Sequence, residues 1–373
     1  MPHPPSPLLT VMPIFGTRPE AVKMAPVIRE LLRYPKLVRV RTVVTAQHRE
    51  MLDQVLAVFN IVPAVDLNIM AHGQTLSQIT TRALSGLDPV IEREKPDIIL
   101  VQGDTTTVFA ASLAAFYHKV AVGHVEAGLR TNNKYDPFPE EMMRRLTGQI
   151  ADLHFAPTDL SRWNLLQSGV SDERIFVTGN TVIDALLSVA AKVPDAPPSS
   201  RRTILLTAHR RENLGEPMRQ VFMALRDVLE KLPDVDLVYP MHRNPQVREV
   251  AMEVFGGLER VTLTEPPDYA PFVAMMKAAT LIITDSGGVQ EEAPSLGKPV
   301  LVVRRTTERP EGVTAGTVKL VGVERADVRD AALKLLTDNT AYAQMSQARN
   351  PYGDGHAAER IREALFRHFG LET

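Results

Sequence analysis

The chain has 373 residues, 44% of them hydrophobic and 23% charged, with 42 Lys+Arg against 44 Asp+Glu and a formal net charge of -2. That length supports two domains of ordinary size, and the near-neutral balance excludes a bulk basic field drawing the chain onto nucleic acid or an anionic membrane. The absence of cysteine excludes disulfides, thiolate metal sites and cysteine nucleophiles together, and a cytoplasmic location is expected.

Residues 1–7, Met-Pro-His-Pro-Pro-Ser-Pro, read as a frayed tail. The apolar run Leu8–Phe15 has no Lys or Arg ahead of it and leads into a turn, which argues for a buried strand and against a signal peptide. Further strands are expected at Val38–Thr45, Asp97–Gln102, Val120–His124, Leu153–Ala156 and Arg174–Thr178, then at Thr203–Thr207, Val235–Tyr239, Val261–Leu263, Leu281–Thr284, Pro299–Val303 and Thr317–Val321. Helical periodicity fills the gaps, for instance over Glu20–Arg33, Leu76–Lys95, Leu214–Lys231, Val289–Ser295 and Ala357–Phe369. The apolar stretch Val108–Tyr117 is about half the roughly 20 residues a membrane helix needs, so no span is expected.

Alternating strands and helices imply βαβ units and a mostly parallel sheet. Between the two series lies Val193-Pro-Asp-Ala-Pro-Pro-Ser-Ser200, whose three prolines suit a linker. The expected fold is α/β, two Rossmann-like doubly wound domains facing across a cleft. They occupy residues 8–192 and 201–356, with residues 193–200 between them and a C-terminal helix in 357–373 packing back on the first.

In such sheets ligands sit beyond the carboxyl ends of the strands. After the first strand, Gly16-Thr-Arg-Pro-Glu20 offers a turn, a capping-box spacing and Arg18 beside a helix N-terminus, suited to a phosphate. Asp104 and Glu126 each follow a strand, so neighbouring strands would put both carboxylates on one rim. The structural alternatives are that Asp104 caps the next helix, that Glu126 pairs with Arg130, and that Glu140 and Arg144 form an ordinary ion pair four residues apart. His209 and His242 also follow strands, without a third ligand at metal-binding spacing. In Thr284-Asp-Ser-Gly-Gly-Val-Gln-Glu-Glu292, backbone N–H groups of Ser286, Gly287 and Gly288 can meet a diphosphate and Glu292 two ribose hydroxyls. Asp234-Val-Asp236 lies away from the carboxyl rim and is discounted as a metal pair. No P-loop, dinucleotide fingerprint, zincin or nucleophile-elbow motif is present.

These segments resemble the non-hydrolysing UDP-N-acetylglucosamine 2-epimerases, a bacterial family with the two-domain GT-B fold, from about Met12 to Gly355. The resemblance rests on Gly-Thr-Arg-Pro-Glu-Ala-Val-Lys-Met-Ala-Pro26, Gln-Gly-Asp-Thr105, His-Val-Glu-Ala-Gly-Leu-Arg130, Pro-Glu-Glu141, Gly-Asn-Thr-Val-Ile-Asp184, His-Arg-Arg-Glu-Asn213, Asp-Ser-Gly-Gly-Val-Gln-Glu-Glu-Ala-Pro294 and Thr-Thr-Glu-Arg-Pro-Glu311. It implies that Arg18, Ser286, Gly287, Gly288 and Glu292 hold UDP, with Phe272 near the uracil and His209, His242 and Arg309 in the site. Asp104, Glu126 and Glu140 would be the acid/base carboxylates, with Lys23 and Arg144 supporting them and His209 among the catalytic groups. The chain departs from the family at Met142-Met143, where asparagine usually precedes the arginine. It also has Gly73 where members activated by a second substrate molecule carry arginine, near the stretch matching Gln47-His48.

The implied reaction is reversible epimerisation at C2 of UDP-N-acetylglucosamine, supplying cell-surface polysaccharide synthesis. The C2 hydrogen becomes acidic once the C1–O bond to UDP breaks, and 2-acetamidoglucal forms while UDP waits. Cationic and backbone donors on the diphosphate and carboxylates around C2 meet that need, with no NAD or metal cofactor. UDP-N-acetylglucosamine and UDP are the expected partners, in a homodimer. Three alternatives stay open: a hydrolysing epimerase, an ordinary GT-B glycosyltransferase, and a nucleotide-sugar sensor without turnover.

Overall fold

The computed structural model describes residues 8–46, 49–69, 71, 73–195 and 200–371; the N-terminal tail and Gln47-His48 lie outside them. The first sheet holds β1 (Leu9–Phe15), β2 (Val38–Val40), β3 (Val43–Val44), β4 (Val65–Asp66), β5 (Ile98–Gln102), β6 (Ala121–Val125), β7 (Leu153–Ala156) and β8 (Ile175–Val177). Its order is β4-β3-β1-β5-β6-β7-β8, with β2 also on β1. The second holds β9 (Arg202–Thr207), β10 (Val235–Pro240), β11 (Val261–Thr264), β12 (Leu281–Thr284), β13 (Val300–Val302) and β14 (Val318–Leu320), ordered β11-β10-β9-β12-β13-β14. The strand pairings described are parallel in both. Helices on both faces account for the continuous apolar runs: all seven residues of β1 are buried.

The expected strand Val38–Thr45 is two strands. β2 pairs with Leu9–Val11 and β3 with Ile14–Phe15, and between them the Thr42 carbonyl accepts the N–H groups of Ala64 and Val65, which start β4. β4 was not expected, because two residues cannot show an alternation.

By packing, the chain forms two compact α/β units: residues through Ala185 with those from Tyr352 onward, and Leu186–Pro351. The division falls inside the Thr181–Ala190 helix, ahead of the proline-rich segment. Lys277 explains the shift, since its Nζ donates to the carbonyls of Ala190 and Val193 and pairs with Asp195 at 2.8 Å, tying the start of that segment to the second unit. The Ala357–Phe369 helix belongs to the first unit. The Asp184 carboxylate accepts the N–H groups of Ala357 and Ala358, Arg362 reaches Glu30 at 3.1 Å, and Phe366 meets Tyr34 edge to face.

Each strand order reverses direction once, between β1 and β5 and between β9 and β12. The second sheet has the 3-2-1-4-5-6 order of dinucleotide-binding folds, and such switch points open a crevice at the strands' carboxyl ends. The second unit's core, around Phe222, Tyr239 and Phe255, packs the Glu216–Lys231, Pro245–Phe255 and Arg325–Thr337 helices on one face of that sheet.

Candidate active site

In the first unit the loops after β1, β5 and β6 converge. Gly16 is required there, because a Cβ would collide with Thr45 Oγ1 and approach Thr107 Oγ1 to 2.9 Å. The Arg18–Leu31 helix then starts as its spacing predicts: Glu20 accepts the N–H groups of Gly16 and Thr17 at 3.0 and 2.7 Å. Glu20 also accepts Thr105 Oγ1 at 2.7 Å, joining the β1 loop to the β5 loop. Burial raises the Glu20 pKa, and the bonds from Thr105, Thr17 and Gly16 oppose that rise. Arg18 is half-buried at the first helical position, with no hydrogen bond or ion pair among the described residues.

β5 and β6 are neighbours, with Gln102 opposite Val125, so Asp104 and Glu126 share one rim. Glu126 is 8% exposed and takes a positive φ of 63°, a left-handed conformation costing a side-chain-bearing residue about 1–2 kcal/mol. Hydrogen bonds hold it there: Lys23 Nζ and Asn180 Nδ2 donate to Oε1, the latter at 2.8 Å, and Gln102 Nε2 donates to Oε2. An ionised carboxylate, which only accepts, satisfies all three donors. The suggested Glu126–Arg130 pair is replaced by this clamp, and Arg130 instead donates to the Leu129 carbonyl.

Asp104 does not cap the following helix; Thr105 does, accepting Val108 N. Asp104 Oδ2 receives Arg144 Nη2 at 2.5 Å, and Arg144 also lies 3.5 Å from Glu141. The expected Glu140–Arg144 pair therefore gives way to Asp104–Arg144. Glu140 opens the Glu140–Ile150 helix half-buried and is not joined to the Asp104–Glu126 group by any hydrogen bond. Behind the rim, His124 Nε2 donates to the Gly103 carbonyl at 2.7 Å, and His154 stands beside it on β7. Burial pushes His124 down to about 4 and His154 to about 3, and Nδ1 of each is buried without a partner.

In the second unit, β12 runs into Asp285, Ser286 and the short Gly287–Glu292 helix. Gly287 lies under Arg309, whose Cζ would be 3.3 Å from a Cβ there. Arg309 is held by Glu291 at 2.7 Å and Glu308 at 3.1 Å. Glu292 accepts the Tyr269 hydroxyl at 3.2 Å, and Phe272 stands half-buried on the same Tyr269–Ala278 helix. His209 and His242, brought by β9 and β10, stack with centroids 5.4 Å apart and planes 17° apart. The fully buried Asp285 accepts the N–H groups of His209 and Arg210. Burial would raise the Asp285 pKa, but His209 and these amides outweigh it and hold it low. Asp234 and Asp236 pair with Arg202 and Arg201 at 2.7 and 2.8 Å, which accounts for that acidic doublet without a metal. Gly73 has a positive φ of 69°, and no described residue lies within 4 Å of where a Cβ would stand.

Gln102, Asn180 and Asp285 carry no expected role, although each lies inside a quoted motif. The signal available was their place one residue before a turn or just after a strand end.

Fold and site together define a two-unit parallel α/β protein with carboxylates at the strand ends of one sheet and a strand, glycine turn and short helix on the other. The description UDP-N-acetylglucosamine 2-epimerase matches residues 30–366. The chain is 57% identical over 366 residues to the UDP-N-acetylglucosamine 2-epimerase of Bacillus subtilis, covering 97% of this chain and 96% of that one. A Neisseria meningitidis UDP-GlcNAc 2-epimerase structure bound to UDP-GlcNAc superimposes with TM-score 0.88 at 48% identity, covering 96% and 100% of the two chains. The S. aureus MnaA–UDP co-structure superimposes with TM-score 0.86 at 52% identity, covering 98% of each. The chain belongs to the UDP-N-acetylglucosamine 2-epimerase family.

Proposed function

We propose that the chain interconverts UDP-N-acetylglucosamine and UDP-N-acetylmannosamine without releasing the free sugar. The observation that carries this reading is the Glu126 clamp beside the Asp104–Arg144 pair on one rim: two carboxylates held in different surroundings, as an acid and a base require. Arg18, Ser286–Gly288, Glu292 and Arg309 would hold UDP, as donors and carboxylate of the kinds a diphosphate and ribose need.

The chemistry follows from the bonds. As C1–O breaks, its electron pair leaves with the β-phosphate oxygen; a carboxylate takes the C2 proton, and the C–H pair becomes the C1=C2 bond of 2-acetamidoglucal. Protonation of C2 from the other face and return of the phosphate oxygen to C1 completes epimerisation. Asp104, Glu126 and Glu140 are the proton carriers, and Lys23, Gln102 and Asn180 fix the direction of Glu126.

Turnover in D2O followed by NMR tests it. Deuterium at C2 of UDP-N-acetylmannosamine is expected, because the proton removed exchanges before one is returned. Product with C2 fully protonated would overturn the elimination, and free N-acetylmannosamine as the main early product would make the enzyme a hydrolysing one.

A further inference from the structure

His209 and His242 face the same rim as stacked rings, yet their ring nitrogens meet opposite partners. Oδ1 of Asp285, buried and without an aligned hydrogen bond, lies 3.2 Å from His209 Nδ1, while Oδ2 is occupied by the amides of His209 and Arg210 and approached by Asn213 Nδ2 at 3.4 Å. An ionised carboxylate accepts only, so a hydrogen is called for on His209 Nδ1. On His242 the polarity reverses: Nδ1 accepts the Asn244 N–H at 3.1 Å, so its hydrogen stands on Nε2.

From these contacts we infer that Asp285 and the Asn244 amide lock the stacked pair in opposite tautomers, His209 with a bare Nε2 and His242 with an Nε2–H. Asp285 is thereby a positioning residue for the reaction. The assignment of roles rests on the epimerase reading above. His242 donates to a phosphate oxygen as a neutral group; burial and the adjacent His209 ring both hold its pKa low, with Asp285 opposing them and Arg248 adding to them. The lone pair left free in the stack is His209 Nε2, because the other, His242 Nδ1, is engaged by the Asn244 N–H. That bare Nε2 is the position through which a proton from solvent reaches the departing phosphate oxygen on C1–O cleavage and is taken back on re-addition.

Long-range 1H–15N spectra of the ligand-free full chain with 15N-labelled histidine read this directly. The expected spectrum has His209 bare at Nε2 and His242 bare at Nδ1. Asp285→Asn, which offers an amide in place of an acceptor-only group, should move the His209 hydrogen to Nε2 and lower kcat about 10²-fold or more, with KM changed by less than about threefold. Asn244→Pro suits a residue whose φ is -59° and removes the N–H, so it should release the His242 tautomer and leave His209 as it was; it also keeps the test alive should the Asp285 variant not fold. Both rings in one tautomer, or the two reversed, would overturn the inference. Reversed tautomers in an enzyme active on UDP-N-acetylglucosamine would sink the inference alone, whereas the stated tautomers in a chain without turnover would support it and sink the epimerase reading.

Discussion

The two sheets place different chemistry at their strand ends. On the first, most charged groups at the strand ends are already paired: the buried Glu126 with Lys23, Gln102 and Asn180, the half-buried Asp104 with Arg144, and the buried Glu20 with two loop amides and Thr105, whereas the Arg18 side chain has no such partner among the described residues. On the second, a glycine turn, the half-buried His209, the exposed His242 and Arg309 stand at the strand ends, with the carboxylates Asp285 and Glu291 supporting His209 and Arg309. On the reading proposed above, the first rim keeps protons in place and the second receives an anion. Internally satisfied carboxylates suit a group that must move a proton along one direction, whereas an anion site needs donors left to point outward.

The widest gap between the units is expected in acid. His124 and His154 are buried and neutral in the first unit, at about 4 and about 3, against 6.5 when unfolded. Below pH 6.5 the unfolded chain takes up two protons that the folded unit refuses until pH approaches 4, so stability falls as pH falls through that window. The slope rises to at most about 2.7 kcal/mol per pH unit, which amounts to about 3 kcal/mol between pH 6.5 and 5, after about 0.8 kcal/mol lost on approaching pH 6.5 from above. Denaturant titrations at pH 7 and 5 measure it. His154→Gln should roughly halve the slope; an unchanged slope would clear the buried pair of this role.

Chemistry should separate the rims next. Asp104→Asn and Glu126→Gln keep shape but remove the ionisable group, so turnover should drop about 10²-fold or more while calorimetric UDP affinity stays within a few-fold. A comparable loss of UDP affinity in either variant would mean the first rim also binds the anion. Arg18→Ala and Glu292→Ala should instead weaken UDP by about 1.5–3 kcal/mol, one charge-assisted contact each. Arg18 sharpens the comparison, being the one predicted UDP contact in the first unit.

What could be read in the chain beforehand follows the range of each interaction. Apart from the divided Val38–Thr45 run and the unexpected β4, the strands of both sheets and the Arg18–Leu31 start are local patterns of apolar runs and capping residues, and they stand where the sequence puts them within a residue or two. The rim positions of Asp104 and Glu126 needed one further rule, that ligands gather at carboxyl ends. Beyond that, local pattern is silent: Gln102 and Asn180 reach Glu126 from 24 and 54 residues away, and Asp184 caps a helix 173 residues downstream. The Glu140–Arg144 expectation failed for the same reason, since helical spacing permits that pair but Asp104, 40 residues off, takes the guanidinium.

The smallest effect tests whether the first rim's pairing has a catalytic purpose. Gln102→Leu removes one of the three donors on Glu126 while leaving Lys23 and Asn180, and Gln102 is itself buried beneath the rim, so no ligand contact is lost with it. One neutral hydrogen bond to a charged acceptor is worth about 1.5 kcal/mol, so kcat should fall about tenfold. If the amide serves direction, UDP affinity and the KM for UDP-N-acetylglucosamine should stay near their original values, since only the proton-carrying oxygen is less well aimed. Gln102→Glu should do worse than leucine, because a second carboxylate against Glu126 either repels it or shares its proton. Equal kcat for wild type and Gln102→Leu would mean that Lys23 and Asn180 suffice, and the contrast between a rim that holds protons and one that receives anions would then rest on two donors rather than three.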